Sequence, residues 1–200
     1  MANSNVIPIT GSMLYDMRQC EHRPYMDVFG NSALRDSPDD FVELLWETGQ
    51  AYEEDVVASL GITFISYATE DVAERESVTL QAIKDHAPLI HGGRISAGDL
   101  LGEPDLLRWN GQGYVAGDIK SGVGLDQNGY LKKDYGVQVA LYTDILERLG
   151  VAGSRTPFIH DIEGNEITYD LDTPQGKRNP KTIWEIYSSD VQQAREVVAG

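Results

Sequence analysis

Two aspartates and a lysine are spaced so that one β-hairpin would bring them together. Asn110-Gly111 is a strong hairpin signal, because both residues tolerate the positive φ of a tight turn. With the turn centred immediately after this pair, residues that face each other across the ribbon have numbers that sum to 223, and Asp105 then lies opposite Asp118. Lys120 joins them on the same face, since side chains two apart along a strand point the same way.

Two carboxylates in this arrangement need a positive charge between them. Like charges placed directly opposite each other destabilise a sheet, so a fold that keeps Asp105 and Asp118 there gains from a bound cation. Oxygen-rich sites of this kind suit Mg²⁺ or Mn²⁺. The spacing therefore predicts a divalent-metal site with the ammonium group of Lys120 beside it.

A long helix predicted upstream of the hairpin offers a third carboxylate. Proline and acids open it at about Asp39, and it runs to Leu60. Three- and four-residue spacing places Glu53 on a packed stripe and Glu54 on the polar side. The other members of the stripe are Trp46, Gly49, Val56, Val57 and Leu60. A buried carboxylate needs a partner or a metal, so Glu53 is a candidate ligand; the alternative is a helix-edge glutamate that reaches water.

Residues after the hairpin could bind or orient a substrate. Gln138 and Tyr142 are four apart on a predicted helix and could face the metal site; the alternative is an ordinary interhelical hydrogen bond beside a half-buried tyrosine. Two basic clusters in predicted loops could contact phosphate groups: Lys132 with Lys133, and Lys177 with Arg178 and Lys181. The alternative for both clusters is solvated loop charge. The four histidines show no metal-ligand spacing, so each is expected to be structural or exposed.

Helices and strands are predicted to alternate around these residues. Helices are expected from about residue 12 to Cys20 and at 39–60, 77–86, 135–149 and 182–199. Strands are expected at 62–67, 89–95, 99–109, 114–120, 158–162 and 166–171. This order predicts an α/β protein with helices against a central mixed β-sheet. The 200 residues are expected to form a single domain, 1–200.

Composition limits the classes of function. The 32 acidic and 16 basic residues give a net charge of −16, whereas proteins that bind through phosphate contacts are usually basic. Any binding of nucleic acid must therefore depend on a local site and on bound cations. No apolar run is long enough for a membrane span, and the single Cys20 excludes an internal disulfide. We expect a cytoplasmic protein that makes no contact with membranes.

Four groups of residues resemble the motifs of a known superfamily. They are Gly49-x-x-x-Glu53, Gly102-x-x-Asp105, Asp118-Ile119-Lys120-Ser121 and Gln138-x-x-x-Tyr142. This set is similar to the four motifs of the PD-(D/E)XK nucleases, and most similar to the RecB-like branch with its CRISPR-associated RecB-like exonucleases. Residues 15–20 also look like the N-terminal tyrosine-cysteine segment of that branch.

The resemblance implies a restriction-endonuclease-like core of order αβββαβ within about residues 39–171. It implies a DNA nuclease that depends on Mg²⁺ or Mn²⁺, of the exonuclease type, in DNA repair, recombination or defence. DNA would be the substrate, and a helicase or another nuclease subunit the partner.

The resemblance also implies roles for individual residues. Asp105 and Asp118 would bridge the metal, Glu53 would reach it directly or through water, and the main-chain carbonyl of Ile119 would add a ligand. Lys120 would position the attacking water or help to deprotonate it. The polar pair on the later helix would orient the nucleic-acid strand or this lysine.

The sequence departs from the family pattern in two places. Many RecB-like members have histidine where Glu53 stands, although glutamate is widespread in the superfamily. Iron–sulfur members pair an N-terminal cysteine with three later ones, and no cysteine follows Cys20. An iron–sulfur cluster is therefore not expected within this chain. Either Cys20 is a buried small hydrophobe, or the chain is a piece of a longer protein that supplies further cysteines.

Two other functions stay open at this point. The fold could be a catalytically inactive module that binds DNA or a helicase or nuclease partner. The motif could also be a coincidence in an acidic interaction protein, in which case Glu53, Asp105 and Asp118 would not converge.

Overall fold

The computed structural model describes residues 7–61, 63–68 and 70–200. Within these ranges it is an α/β structure with six α-helices and two mixed sheets. The helices are α1 Gly11–Gln19, α2 Arg23–Phe29, α3 Asp40–Ser59, α4 Val72–Lys84, α5 Lys133–Arg148 and α6 Ile183–Ala199. The strands are β1 Ile9–Thr10, β2 Ile65–Ser66, β3 Leu89–His91, β4 Ile95–Ala97, β5 Leu100–Gly102, β6 Leu106–Trp109, β7 Tyr114–Ile119, β8 Phe158–His160 and β9 Glu166–Thr168.

The larger sheet has the strand order β2-β3-β6-β7-β8-β9. Strand β6 is antiparallel to both β3 and β7, whereas β7 and β8 run parallel, as a connection through α5 allows. Leu106 pairs with Gly117 and Trp109 with Tyr114. Both pairs sum to 223, so the predicted hairpin register is confirmed.

The turn of this hairpin uses its two signal residues differently. Gly111 takes a positive φ of 93°. The side-chain carbonyl of Asn110 instead accepts hydrogen bonds from the backbone N–H groups of Gln112 and Gly113, at 3.0 and 3.1 Å. Side-chain capping of this kind is the reason asparagine is common in turns.

The two strands predicted at 89–95 and 99–109 are wrong in extent, because each is interrupted. Gly92, with a positive φ of 64°, breaks the first, and Pro104, which has no backbone N–H, lies in the break between β5 and β6 in the second. Gly98, with a φ of 66°, forms the turn between β4 and β5. Strands β4 and β5 therefore form a hairpin that joins β1 in the smaller sheet, of order β1-β5-β4. The strand predicted at 62–67 is reduced to β2, and its first residue, Ile62, lies outside the described residues.

Side-chain caps explain where the helices begin. Asp39 accepts a hydrogen bond from Val42 N–H at 2.9 Å and starts α3 where the sequence predicted. Asp71 caps α4 at Ala73 N–H, so this helix begins five residues before the predicted start at 77. Helix α2, which has Pro24 in its first turn, was not predicted. None of the helices in the described ranges is long and apolar enough to cross a bilayer.

Helix α5 is the centre of the main hydrophobic core. It packs against α1 and α6 and also against β5 and β7. Most of its residues are buried, including Val137, Leu141 and Ile145 with no exposed surface. A helix surrounded in this way holds its side chains in fixed positions.

Helix α3 packs less extensively than its apolar stripe predicted. Its C-terminal half places Val57 against a small cluster that includes Leu106 and Phe158. Trp46 is 61% exposed, so the prediction that it belongs to a packed stripe is wrong. Among the described elements none packs extensively against α3, and its N-terminal half carries other exposed apolar residues, among them Phe41 and Leu44.

Two motif glycines have different surroundings. A Cβ atom added at Gly102 would lie 2.7 Å from Tyr142 Cδ1 and 3.2 Å from Ile145 Cδ1, so glycine allows α5 to approach β5. A Cβ atom added at Gly49 would meet nothing within 4 Å. The space beside Gly49 is therefore open, and this residue lines a cavity.

We predict that alanine substitutions at these two glycines change stability in opposite directions. Gly102→Ala should lower the free energy of unfolding by about 1–3 kcal/mol, because the packed Tyr142 ring must move. Gly49→Ala should raise it by about 0.5–1 kcal/mol, because alanine restricts the unfolded chain and favours the helix. Urea denaturation measures both changes, and a loss of stability in Gly49→Ala would contradict this account.

Candidate functional site

A cavity of about 440 Å³ lies between α3, the β5–β6 connection, the end of β7, and α5. Among its lining residues are seven that the sequence predicted to act together: Glu53, Asp105, Asp118, Ile119, Lys120, Gln138 and Tyr142. They come from four separate segments of the chain. The structure therefore brings the side chains of the four motifs to one surface.

The two aspartates occupy neighbouring positions across the β6–β7 hairpin. Asp105 immediately precedes β6, where the confirmed register continues to Asp118. The Oδ2 atom of Asp105 accepts a hydrogen bond from the backbone N–H of Ile119 at 2.6 Å. Asp118 is buried, with 2% of its surface exposed, and forms an ion pair with Lys120. One ammonium group thus lies beside two carboxylates.

Burial shifts the pKa values of these charged groups. Burial, and then the negative charge of Asp118, raises the pKa of Asp105 well above its usual value. Burial by itself would lower the pKa of Lys120, but the carboxylates of Asp118 and Asp105 outweigh it and raise this pKa. Lys120 is therefore held as an ammonium ion, and the surroundings of Asp105 favour its protonated form.

Glu53 is bound by a histidine that sequence analysis did not select. The Nε2 atom of His91 donates to Glu53 Oε1 at 2.9 Å, since a carboxylate can only accept. The hydroxyl of Ser66 lies 2.9 Å from the other ring nitrogen. Glu53 is half-buried, with 33% of its side chain exposed, whereas Glu54 is exposed as predicted. Glu53 is thus neither enclosed in the core nor free in solvent.

The position of His91 follows from the sheet. It ends β3 opposite Leu106, the residue after Asp105. A strand that includes His91 was predicted from the sequence, at 89–95, but the pairing of β3 with β6 was not. Without that pairing, nothing in the spacing of His91 indicated that it would lie beside the carboxylates.

Gln138 and Tyr142 form the predicted polar pair on α5. Gln138 Nε2 donates to the Tyr142 hydroxyl oxygen at 3.2 Å. Tyr142 is 3% exposed, and burial, followed by the charges of Asp118 and Asp105, raises its pKa well above the usual value. The phenol stays neutral, and its proton is available to an acceptor in the cavity. The pair therefore faces the aspartates, and the hydrogen bond is within α5 rather than between helices.

Other predicted site residues lie elsewhere. Lys132 and Lys133 line a second cavity, and Lys132 lies near the ring of Tyr135. Cys20 is exposed at the C-terminal end of α1, so the alternative that it is a buried hydrophobe is wrong. Helix α1 ends at Gln19, and its buried stripe of Leu14 and Met17 does not extend to Cys20.

The donor atoms at the cavity suit a divalent cation in type. Glu53, Glu103, Asp105 and Asp118 line it together with one cation, Lys120, and carboxylate oxygens are the preferred ligands of Mg²⁺ and Mn²⁺. Within the described ranges, however, no three His, Cys, Asp or Glu side chains are close enough to form a metal cluster. Glu53 is bonded to His91, and Asp118 to Lys120.

Comparison with protein-family models found no match, and comparison with curated proteins found no significant relative. The family resemblance therefore depends on the motif residues themselves.

Proposed function

We propose that this protein is a metal-dependent nuclease of the PD-(D/E)XK type that hydrolyses DNA phosphodiester bonds. The observation that carries the proposal is the common cavity of Glu53, Asp105, Asp118 and Lys120. Three acids and a lysine from separate segments rarely meet unless the buried charge has a use, because burying like charges together costs stability.

The order of elements supports a restriction-endonuclease-like core. In the larger sheet and its helices, α3, β3, β6, β7, α5 and β8 follow one another as αβββαβ, with α4 and the β2 and β4–β5 strands as insertions. In this arrangement the hairpin carries the two aspartates and the crossover helix covers them.

The predicted ligands are Asp105 and Asp118, with the Ile119 carbonyl and Glu53 completing the set. A divalent cation, when bound, lowers the pKa of a coordinated water and neutralises charge on a phosphate. The hydrogen bond from Ile119 N–H orients Asp105, and the bond from His91 orients Glu53. These bonds hold the carboxylates toward one cavity.

Lys120 and the α5 pair act on the substrate side. The Lys120 ammonium group stabilises negative charge on the phosphate and positions the attacking water. The Tyr142 hydroxyl, which accepts the Gln138 hydrogen bond, would itself donate a hydrogen bond to the phosphate or to the water. An exonuclease role in DNA repair, recombination or defence, with a helicase or nuclease subunit as partner, follows from the family resemblance.

We predict cleavage of linear DNA that depends on these residues. Wild-type protein with Mg²⁺ or Mn²⁺ should degrade labelled single- or double-stranded DNA, and EDTA should stop it. Asp118→Ala and Lys120→Ala should each lower the rate by at least about 10²-fold, because each removes charge from the reacting centre. Lys84→Ala, an exposed lysine on another surface, is the control. Equal activity in wild type and Asp118→Ala would end the proposal.

We predict that Mn²⁺ stabilises the fold through Asp105. At a concentration 100 times its dissociation constant, the ion should raise the free energy of unfolding by about 2.7 kcal/mol. Asp105→Asn should lose this gain. Since the pKa of Asp105 is raised in the folded state, its ionisation lowers stability as the pH rises through that value, and the neutral amide removes this cost.

Thermal denaturation with EDTA and with Mn²⁺ measures both effects. In EDTA near neutral pH, Asp105→Asn should melt at the same temperature as wild type or higher. Glu47→Gln removes an exposed carboxylate on α3 away from the cavity and should respond to Mn²⁺ as wild type does. The same Mn²⁺ shift in Asp105→Asn and wild type would show that the ion binds elsewhere.

We predict that His91 acts by positioning Glu53. His91→Ala should weaken Mn²⁺ binding by about 10- to 100-fold, the usual effect of removing a group that orients a metal ligand. His91→Gln, which keeps a donor near Glu53, should restore part of the affinity. Calorimetric titration measures it, with the exposed His22→Ala as control. Unchanged affinity in His91→Ala would exclude the positioning role.

A second candidate function is a nuclease-fold module without catalysis. The ion pair of Asp118 with Lys120 and the bond of Glu53 to His91 favour it, because they satisfy these charges without a metal. Such a module would bind DNA or a helicase or nuclease partner and would show neither cleavage nor a stabilising effect of Mn²⁺. The two assays above therefore distinguish the candidates.

A further inference from the structure

Two basic clusters that are distant in the sequence lie in one groove. Two cavities, of about 420 and 270 Å³, share Arg18, Lys133, Gln175 and Gly176 and therefore adjoin. We call the surface lined by five cations the basic groove: Arg18, Lys132, Lys133, Arg178 and Lys181. From the sequence alone, the lysines at 132–133 and the cations at 177–181 are separate alternatives for phosphate contact. The fold joins them.

Most basic side chains of this acidic protein are neutralised by a neighbour. Ten of its 16 lysines and arginines lie within 4.0 Å of a carboxylate: Arg18, Arg23, Arg35, Arg75, Arg94, Arg108, Lys120, Arg148, Arg155 and Arg195. Among the described residues, the six others have no such partner: Lys84, Lys132, Lys133, Lys177, Arg178 and Lys181. Four of these six line the basic groove. Unpaired cations are thus concentrated where an anion would be bound.

The acids of the groove are engaged within the protein. Asp126 accepts the backbone N–H groups of Asn128 and Tyr130 at 2.7 and 3.0 Å. Asp134 accepts a hydrogen bond from Gln19 Nε2 at 3.0 Å. Asp190 is only 6% exposed and lies 3.8 Å from Arg18. These carboxylates keep their negative charge, but the lining has five cations against three carboxylates and therefore an excess of positive charge.

The groove adjoins the candidate site at Tyr135. The Nζ atom of Lys132 lies 4.9 Å from the centroid of this ring, and the Nζ atom of Lys120 lies 5.6 Å from it. One ring thus contacts a cation of the groove and the cation of the cavity. The groove and the cavity share no lining residue, and the Tyr135 ring, which both cations approach, links them.

We propose that the basic groove binds the phosphodiester backbone of a single nucleic-acid strand and leads it to the cavity of Asp105 and Asp118. The inference rests on the proposed function for the direction of the strand. A single strand is favoured because Tyr130, half-buried, lines the groove beside the lysines. Cationic grooves with an aromatic ring are typical of proteins that stack bases while they track the backbone.

The test measures binding without cleavage. Fluorescence anisotropy of the full chain in EDTA, with a labelled 20-nucleotide DNA strand, gives the dissociation constant over a range of salt concentrations. Lys133→Ala/Lys181→Ala should raise it about 10- to 30-fold at 0.1 M salt and lower the slope of log affinity against log salt by about 1.4, since each lost phosphate contact on a single strand removes about 0.7. Both lysines are exposed, so circular dichroism should show an unchanged fold.

A matched variant separates the groove from net charge. Lys84→Ala/Arg35→Ala removes two exposed cations outside the groove lining and should change affinity by less than about twofold. Lys133→Arg/Lys181→Arg should bind as wild type does, because it keeps the charge. Equal losses in the two double alanine variants would overturn the proposal, as would equal binding of a poly-glutamate peptide.

Comparison of DNA, RNA and duplex probes also identifies which kind of nucleic acid the groove binds. An RNA strand bound as tightly as DNA supports a backbone site common to both, whereas tighter binding of duplex DNA would overturn the single-strand assignment. Groove-dependent binding without cleavage in Mn²⁺ would refute the proposed nuclease and leave the groove standing. Metal-dependent cleavage by wild type, with identical binding by the groove and control variants, would support the proposed nuclease and refute the groove as its binding site.

Discussion

The opposition of Asp105 and Asp118 across the β6–β7 hairpin is the interaction on which the site depends. Hydrogen-bonded strands hold their backbones at a fixed separation, so the two carboxylates cannot move apart without breaking the register. Lys120 forms an ion pair with Asp118, and burial together with the charge of Asp118 raises the pKa of Asp105. The other polar groups of the cavity must accommodate the charge of these two carboxylates.

Packing around α5 fixes the positions of the side chains around the two aspartates. The helix crosses between the parallel strands β7 and β8 and is buried among α1, α6 and the sheet. Tyr142 fits against Gly102 on one side of the cavity. Gly102 and Tyr142 thus pack against each other, and this contact places the polar pair of α5 next to the aspartates. Stability of the core and geometry of the site have the same origin.

The positions of the charged side chains matter more for binding by this protein than its net charge does. The net charge of −16 opposes association with any polyanion at long range. Ion pairs nevertheless neutralise most cations, and the unpaired ones concentrate in the basic groove beside Tyr135. Screening limits the repulsion of distant acids at physiological salt to about 8 Å, so a strand in the groove would experience mainly its nearest lysines and arginines.

Local signals in the sequence determined the parts of the structure that depend on neighbouring residues. The Asn110-Gly111 turn and the two-residue period of a strand were enough to pair Asp105 with Asp118, because register follows from turn geometry. Only the tertiary structure decided which segments meet: that His91 binds Glu53, that Trp46 stays exposed, and that two basic clusters share a groove. Strand order and helix packing depend on the burial of the whole chain, which no single periodicity encodes.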